Sequence, residues 1–196
     1  MQSPANIDTL VSSRICHDLI SPIGAISNGL ELMEELASST PEMALIADSV
    51  ENAKAKLQFF RVCFGHASPG AEQSAAELTN TANAMLQGPR LELRWRLTAP
   101  ALPRAQVKLL YLLLLCVETA LPVGGIIHII QTDDRLSIKV ESKRVQSSEA
   151  WQVFEGRRYV AISPAQVQFP LARDVAAQNG RKIHVKTGIN TLNIML

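Results

Sequence analysis

Residues 15–37 of the chain read ICHDLISPIGAISNGLELMEELA, and their apolar positions recur at steps of three and four. This spacing is the period of one buried stripe along an α-helix. The stripe consists of Ile15, Leu19, Ile23, Ile26, Leu30, Met33 and Ala37. The sequence therefore predicts a long first helix, over about residues 6–37.

A second amphipathic helix follows directly. Thr40 and Pro41 are typical of a helix start, because a proline at the first helical position loses no hydrogen bond. Apolar residues then recur at steps of four and three as far as Gly65, at Ile46, Val50, Ala53, Leu57, Phe60 and Phe64. One hairpin cannot bury both stripes, so we expect two hairpins to form a four-helix bundle in a homodimer.

The rest of the chain predicts a second domain. Residues 66–74 contain Ser, Pro and Gly without periodicity and are interpreted as a linker, which divides the chain into domains 1–70 and 71–196. Periodicity then predicts helices over 75–86, 106–121 and 164–179, the last ending at Gly180, and strands over 91–97, 126–132, 136–141, 182–186 and 190–196. The expected fold class is α+β: a helical hairpin followed by an α/β sandwich of about five strands.

Composition narrows the classes of function. Hydrophobic residues make up 47% of the chain. The formal net charge is +1 and there is no basic arm, so we expect no nucleic-acid partner.

The longest apolar run, residues 109–117, is far shorter than the roughly 20 residues that span a bilayer. Residues 1–8 show no secretory signal, and three widely spaced cysteines fit a reducing compartment. A cytoplasmic protein without a membrane partner is expected.

His17 is the main candidate for chemistry. With Leu19 at the centre of the buried stripe, the helical rotation of about 100° per residue predicts that His17 lies on the solvent face. A neutral imidazole is nucleophilic near neutral pH and can attack phosphorus. We expect Asp18 to accept a hydrogen bond from Nδ1–H, which leaves Nε2 free. The alternative is that His17 is one more polar residue on a solvated helix face.

Residues near His17 predict a docking surface. Arg14 is expected to pair with phosphoryl oxygens, since guanidinium groups bind phosphate in a bidentate manner. Ile20, Ser21 and Gly24 are expected to form the floor on which a partner docks. A metal site is not expected, because Cys63 with His66 supplies only two of the four ligands of a structural zinc.

The segment His17-Asp18-Leu19-Ile20-Ser21-Pro22 resembles the phosphoacceptor box of two-component histidine kinases, which lies on the first helix of a dimeric hairpin. Over essentially its whole length the chain resembles the alphaproteobacterial histidine phosphotransferases. This resemblance implies a phosphorelay protein with His17 as the phosphorylated residue. It also implies a homodimer.

The second half resembles an ATP-binding domain of the GHKL type that has lost its nucleotide residues. Tyr111 and Leu115 stand where kinases carry the asparagines of the N box. Residues 142–146, SKRVQ, replace the D-x-G-x-G loop, and residues 168–171, QFPL, replace the glycines of the G2 box. The resemblance therefore implies that the chain binds no ATP and no metal, and that Mg²⁺ comes from the partner receiver domain.

The resemblance also implies partners. In that family the donor is the receiver domain of the hybrid kinase CckA, and the acceptors are the response regulators CtrA and CpdR. Three alternatives remain at this stage: an active ATP-dependent kinase, an adaptor that docks on receivers without carrying phosphate, and a receiver phosphatase in which Ser21 orients water.

Overall fold

The computed structural model describes residues 15, 18, 19, 22, 25, 26, 29, 40–65, 70–133, 135–156 and 160–196. From residue 40 on, the described part of the chain contains four helices: α1 (Thr40–Phe64), α2 (Ala75–Leu86), α3 (Arg104–Thr119) and α4 (Gln168–Gln178). Short 3-10 helices span Glu149–Glu155 and Pro164–Gln166. The strands are β1 (Glu72–Ser74), β2 (Leu91–Arg96), β3 (Ala101–Pro103), β4 (Gly125–Thr132), β5 (Arg135–Glu141), β6 (His184–Thr187) and β7 (Thr191–Met195). None of these helices combines the length and the apolar character needed to cross a bilayer.

The described residues before position 30 are all helical. They are Ile15, Asp18, Leu19, Pro22, Ala25, Ile26 and Gly29. Ile15 lines a groove with Phe60 and Phe64 of α1, whereas the carbonyl of Asp18 meets Lys56, nearer the start of α1. The two segments therefore run antiparallel, as predicted for a hairpin. The remaining residues of the predicted first helix lie outside the described residues.

A five-stranded sheet in the order β2-β4-β5-β7-β6 forms the centre of the second half. Its β2–β4 pair is parallel and the other pairs are antiparallel. Alternate residues of the strands, such as Ile129, Ile138 and Ile194, are buried in the core that the helices share. The other face carries exposed Arg94 and Lys139. The α+β class and the five-stranded sandwich are confirmed.

The prediction of a linker over residues 66–74 is wrong for residues 72–74. Residues 72–74 form β1, which pairs with β3 in a separate two-stranded sheet. The side chain of Gln73 is buried there, and the hydroxyl of Ser74 accepts a hydrogen bond from the N–H of Glu77, which caps α2. Pairing and capping satisfy the backbone of a segment whose composition resembles a loop.

One core extends from α1 into the second half. Phe59, Phe60 and Cys63 of α1 belong to the same buried cluster as the leucines of α3. Every residue from Leu109 to Val117 is buried, because α3 packs between α1 and α4 and against the sheet. The domain boundary near residue 70 stays a prediction, and the C-terminal end of α1 packs as part of the second half.

Candidate functional site

Most of the predicted site lies outside the described residues. This applies to His17, Arg14, Ile20, Ser21 and Gly24. The structure describes Asp18, which is helical and partly buried, next to Leu19. It also describes Pro22, which is helical and buried. The described part of the site therefore consists of residues that flank His17.

Lys56 of α1 contacts residues 17–22, the acceptor segment. Its Nζ donates a hydrogen bond to the backbone carbonyl of Asp18 at 3.2 Å, in a partly buried position. The sequence reasoning did not identify this lysine, which lies 38 positions from its partner. The sequence signal for such an outside donor is Pro22. A proline inside a helix leaves the carbonyl four residues earlier without its usual donor.

An apolar groove of about 480 Å³ lies beside the same segment. Ile15 forms one side, and Leu57, Phe60 and Phe64 of α1 form the other. Leu57 is 51% exposed and lines this groove. The groove is an apolar surface that the described residues leave uncovered.

The positions of the N-box asparagines lie in the core. Tyr111 is fully buried and its ring stacks on Phe59, with 4.3 Å between ring centroids and 6° between planes. The Tyr111 hydroxyl donates to the carbonyl of Leu78 at 2.7 Å, and burial raises its pKa well above the ordinary range. Leu115 is also buried. Neither side chain can serve as a ligand to a metal-bound nucleotide.

Four backbone N–H groups of the loop after β5 donate hydrogen bonds to other groups of the protein. The N–H groups of Ser142, Val145 and Gln146 donate to the carbonyls of Asn190, Ile189 and Ala120, at 2.8 to 3.1 Å. The N–H of Arg144 donates to the hydroxyl of Ser142 at 3.2 Å. A phosphate-binding loop needs N–H groups that point to the ligand, and these four are already engaged.

Aromatic residues pack where the G2-box glycines would precede a helix. Phe169 is fully buried in the first turn of α4, and its ring lies 5.0 Å from Trp151 and 5.8 Å from Phe154 between centroids. Both partners come from the 3-10 helix Glu149–Glu155, which was not predicted. The cluster gives this region a packed core.

Cysteines and acidic residues form no metal centre in the part of the chain that the structure describes. Cys63 and Cys116 are buried among apolar residues, and burial raises the pKa of the Cys116 thiol. Cys116 is therefore a poor thiolate ligand or nucleophile. His66, the possible second ligand beside Cys63, lies outside the described residues.

Comparisons with known proteins give one consistent result. Residues 75–190 match the family described as "Histidine phosphotransferase C-terminal domain". A curated relative, the protein phosphotransferase ChpT of Brucella abortus (strain 2308), is 40% identical over 149 residues, which cover 74% of this chain and 71% of the relative. A solved structure described as a bacterial phosphotransferase is 32% identical with a TM-score of 0.81, covering 100% of this chain and 97% of that chain.

Proposed function

This chain belongs to the histidine phosphotransferase family, and we propose that it carries a phosphoryl group on His17 between receiver domains. Phosphotransfer in a phosphorelay is the function of the family. The observation that carries the assignment to His17 is the sequence around it: the helical residues Asp18, Leu19 and Pro22 complete the acceptor motif, and the Asp18 carbonyl accepts a hydrogen bond from Lys56 of α1.

The proposed transfer has two balanced steps. Nε2 of neutral His17 attacks the phosphorus of a receiver aspartyl phosphate, an N–P bond forms, and the O–P bond breaks with its electron pair going to the aspartate carboxylate. The second step reverses this on another receiver. Asp18 accepts the hydrogen bond from Nδ1–H throughout and stabilises the charged ring. The receivers supply Mg²⁺, as the family resemblance implies.

The proposal includes independence from ATP. The packing of Tyr111 and Leu115 in the core and the engaged N–H groups of residues 142 and 144–146 support it. Kinase catalysis of phosphoryl transfer depends on positioning ATP and Mg²⁺, and both regions lack the groups for this. The Phe169 cluster adds a third region in which packing replaces flexible glycines.

A homodimer is the second part of the proposal. The groove that Ile15, Leu57, Phe60 and Phe64 line is apolar, and a second hairpin would bury it in a four-helix bundle. Each subunit would then present one His17.

The partners follow from the family. We propose a receiver domain of a hybrid histidine kinase (CckA-like) as donor and CtrA-like and CpdR-like response regulators as acceptors. A cytoplasmic location is part of this proposal. Arg14, Ile20, Ser21 and Gly24 are proposed to contact the receivers. The adaptor and phosphatase alternatives are not favoured, because the relatives are phosphotransferases.

The test compares two phosphoryl donors. The purified protein is incubated with a phosphorylated hybrid-kinase receiver, or with radiolabelled ATP and Mg²⁺. We expect label from the receiver only, lost in acid as is typical of an N–P bond. Label from ATP would show a kinase, and no label from either donor would favour the adaptor.

A further inference from the structure

The acceptor segment contains Pro22, which removes a backbone hydrogen bond next to His17. In an α-helix the carbonyl of residue i accepts from the N–H of residue i+4. Residue 22 is proline and has no N–H, so the carbonyl of Asp18 lacks this donor. Both residues are helical and at least partly buried, where an unsatisfied carbonyl is costly.

Lys56 supplies a donor to this carbonyl from the neighbouring helix. Its Nζ lies 3.2 Å from the oxygen. A charged donor makes a stronger hydrogen bond than the amide that it replaces. The nearby Lys54 serves as a contrast, because its Nζ binds Glu51 at 2.6 Å on the exposed side of α1. The same helix thus directs one lysine to solvent and the other to the acceptor segment.

We propose that Lys56 is a positioning residue for phosphotransfer, which replaces the helix hydrogen bond that Pro22 removes and fixes the backbone immediately after His17. The inference rests on the proposed function of His17. A helix that loses a hydrogen bond at a proline bends more easily. The Lys56 bond restrains that bend at the residue that follows the nucleophile.

The experiment uses a double-mutant cycle in the full chain. Lys56→Met removes the donor while keeping an unbranched side chain, and Pro22→Ala restores an N–H that can bond to the Asp18 carbonyl. We measure the single-turnover rate constant of transfer and the receiver concentration for half-saturation. Lys56→Met is expected to slow transfer about tenfold at unchanged half-saturation, below the roughly hundredfold loss that a misplacement of about 1 Å can cause.

Three further variants separate positioning from a general effect on stability. Lys56→Arg keeps a charged donor and is expected to recover most of the rate. Lys54→Met is the matched control and is expected to transfer at the wild-type rate. In the Pro22→Ala background, Lys56→Met is expected to change the rate by no more than about twofold, because the helix then supplies its own donor.

Wild-type transfer by Lys56→Met would overturn the inference. So would an equal tenfold loss in the Pro22→Ala background, since the lysine would then act without reference to the missing N–H. Neither result touches the role of His17. Retained transfer by His17→Ala would overturn the proposed function instead.

Discussion

The acceptor segment and helix α3 place their polar groups in different environments. At Asp18 the polar backbone is partly buried beside an open groove, and a lysine from another helix satisfies it. In α3 the hydroxyl of Tyr111 donates to the Leu78 carbonyl inside the core, and its ring stacks on Phe59. The comparison shows one region in which a polar backbone group lies near an open surface, and another in which the side chains serve the packing of the core.

Helix α1 connects the two regions. Its middle carries Lys56, which contacts the acceptor segment, and its last turns carry Phe59 and Cys63, which belong to the core of the second half. Lys108 of α3 also donates to the carbonyl of Gly65 at 2.8 Å, just after α1 ends. The packing of the second half therefore fixes the helix against which the acceptor segment lies.

The largest expected effect is a loss of phosphotransfer without a loss of folding stability. His17→Ala is expected to abolish phosphotransfer, because it removes the nucleophile, and to change the free energy of unfolding by no more than about 0.5 kcal/mol, as for a solvent-facing residue. Transfer assays and urea denaturation of the same preparation check both. A loss of several kcal/mol would show that the residue has a structural role.

We expect the oligomeric state to depend on the apolar groove that Leu57 lines. Leu57→Glu is expected to convert the dimer to a folded monomer, because a buried unpaired charge is unfavourable by several kcal/mol whereas a half-exposed one is tolerated. Val123→Glu is the matched control, since Val123 is 53% exposed and lies outside α1. Sedimentation of the wild type and both variants measures the change, and a monomeric wild type would contradict the dimer.

Packing around the Tyr111 ring gives the next effect. Phe59→Ala is expected to lower the free energy of unfolding by about 3–5 kcal/mol, because it removes a fully buried ring and its stack on Tyr111. Leu45→Ala, at a 46% exposed position on the same helix, is expected to change it far less. Equal losses in the two variants, measured by denaturation, would contradict the difference in burial.

The helices and most strands could be predicted because their signals are local. Residues 75–86 form α2 as predicted, and the predicted helix over 106–121 differs from α3 by two residues at each end. β1 and β3 were missed, because three-residue strands carry no measurable periodicity and depend on their pairing. The contact of Lys56 with Asp18 and the stack of Phe59 on Tyr111 are tertiary, so no local pattern contains them.

The smallest expected effect concerns the Tyr111 hydroxyl. Tyr111→Phe keeps the stacked ring and removes the hydrogen bond to the Leu78 carbonyl, so we expect a loss of about 1 kcal/mol near neutral pH. Burial raises the Tyr111 pKa in the folded protein above the ordinary value of 10.0. Above pH 10 the unfolded chain therefore loses this proton while the folded protein keeps it, and the folded state is destabilised as pH rises. The variant lacks this contribution, so the stability advantage of the wild type over Tyr111→Phe is expected to shrink above pH 10. Denaturation of both proteins at pH 8 and above pH 10 measures it, and a constant difference would show that the hydroxyl ionises equally in both states.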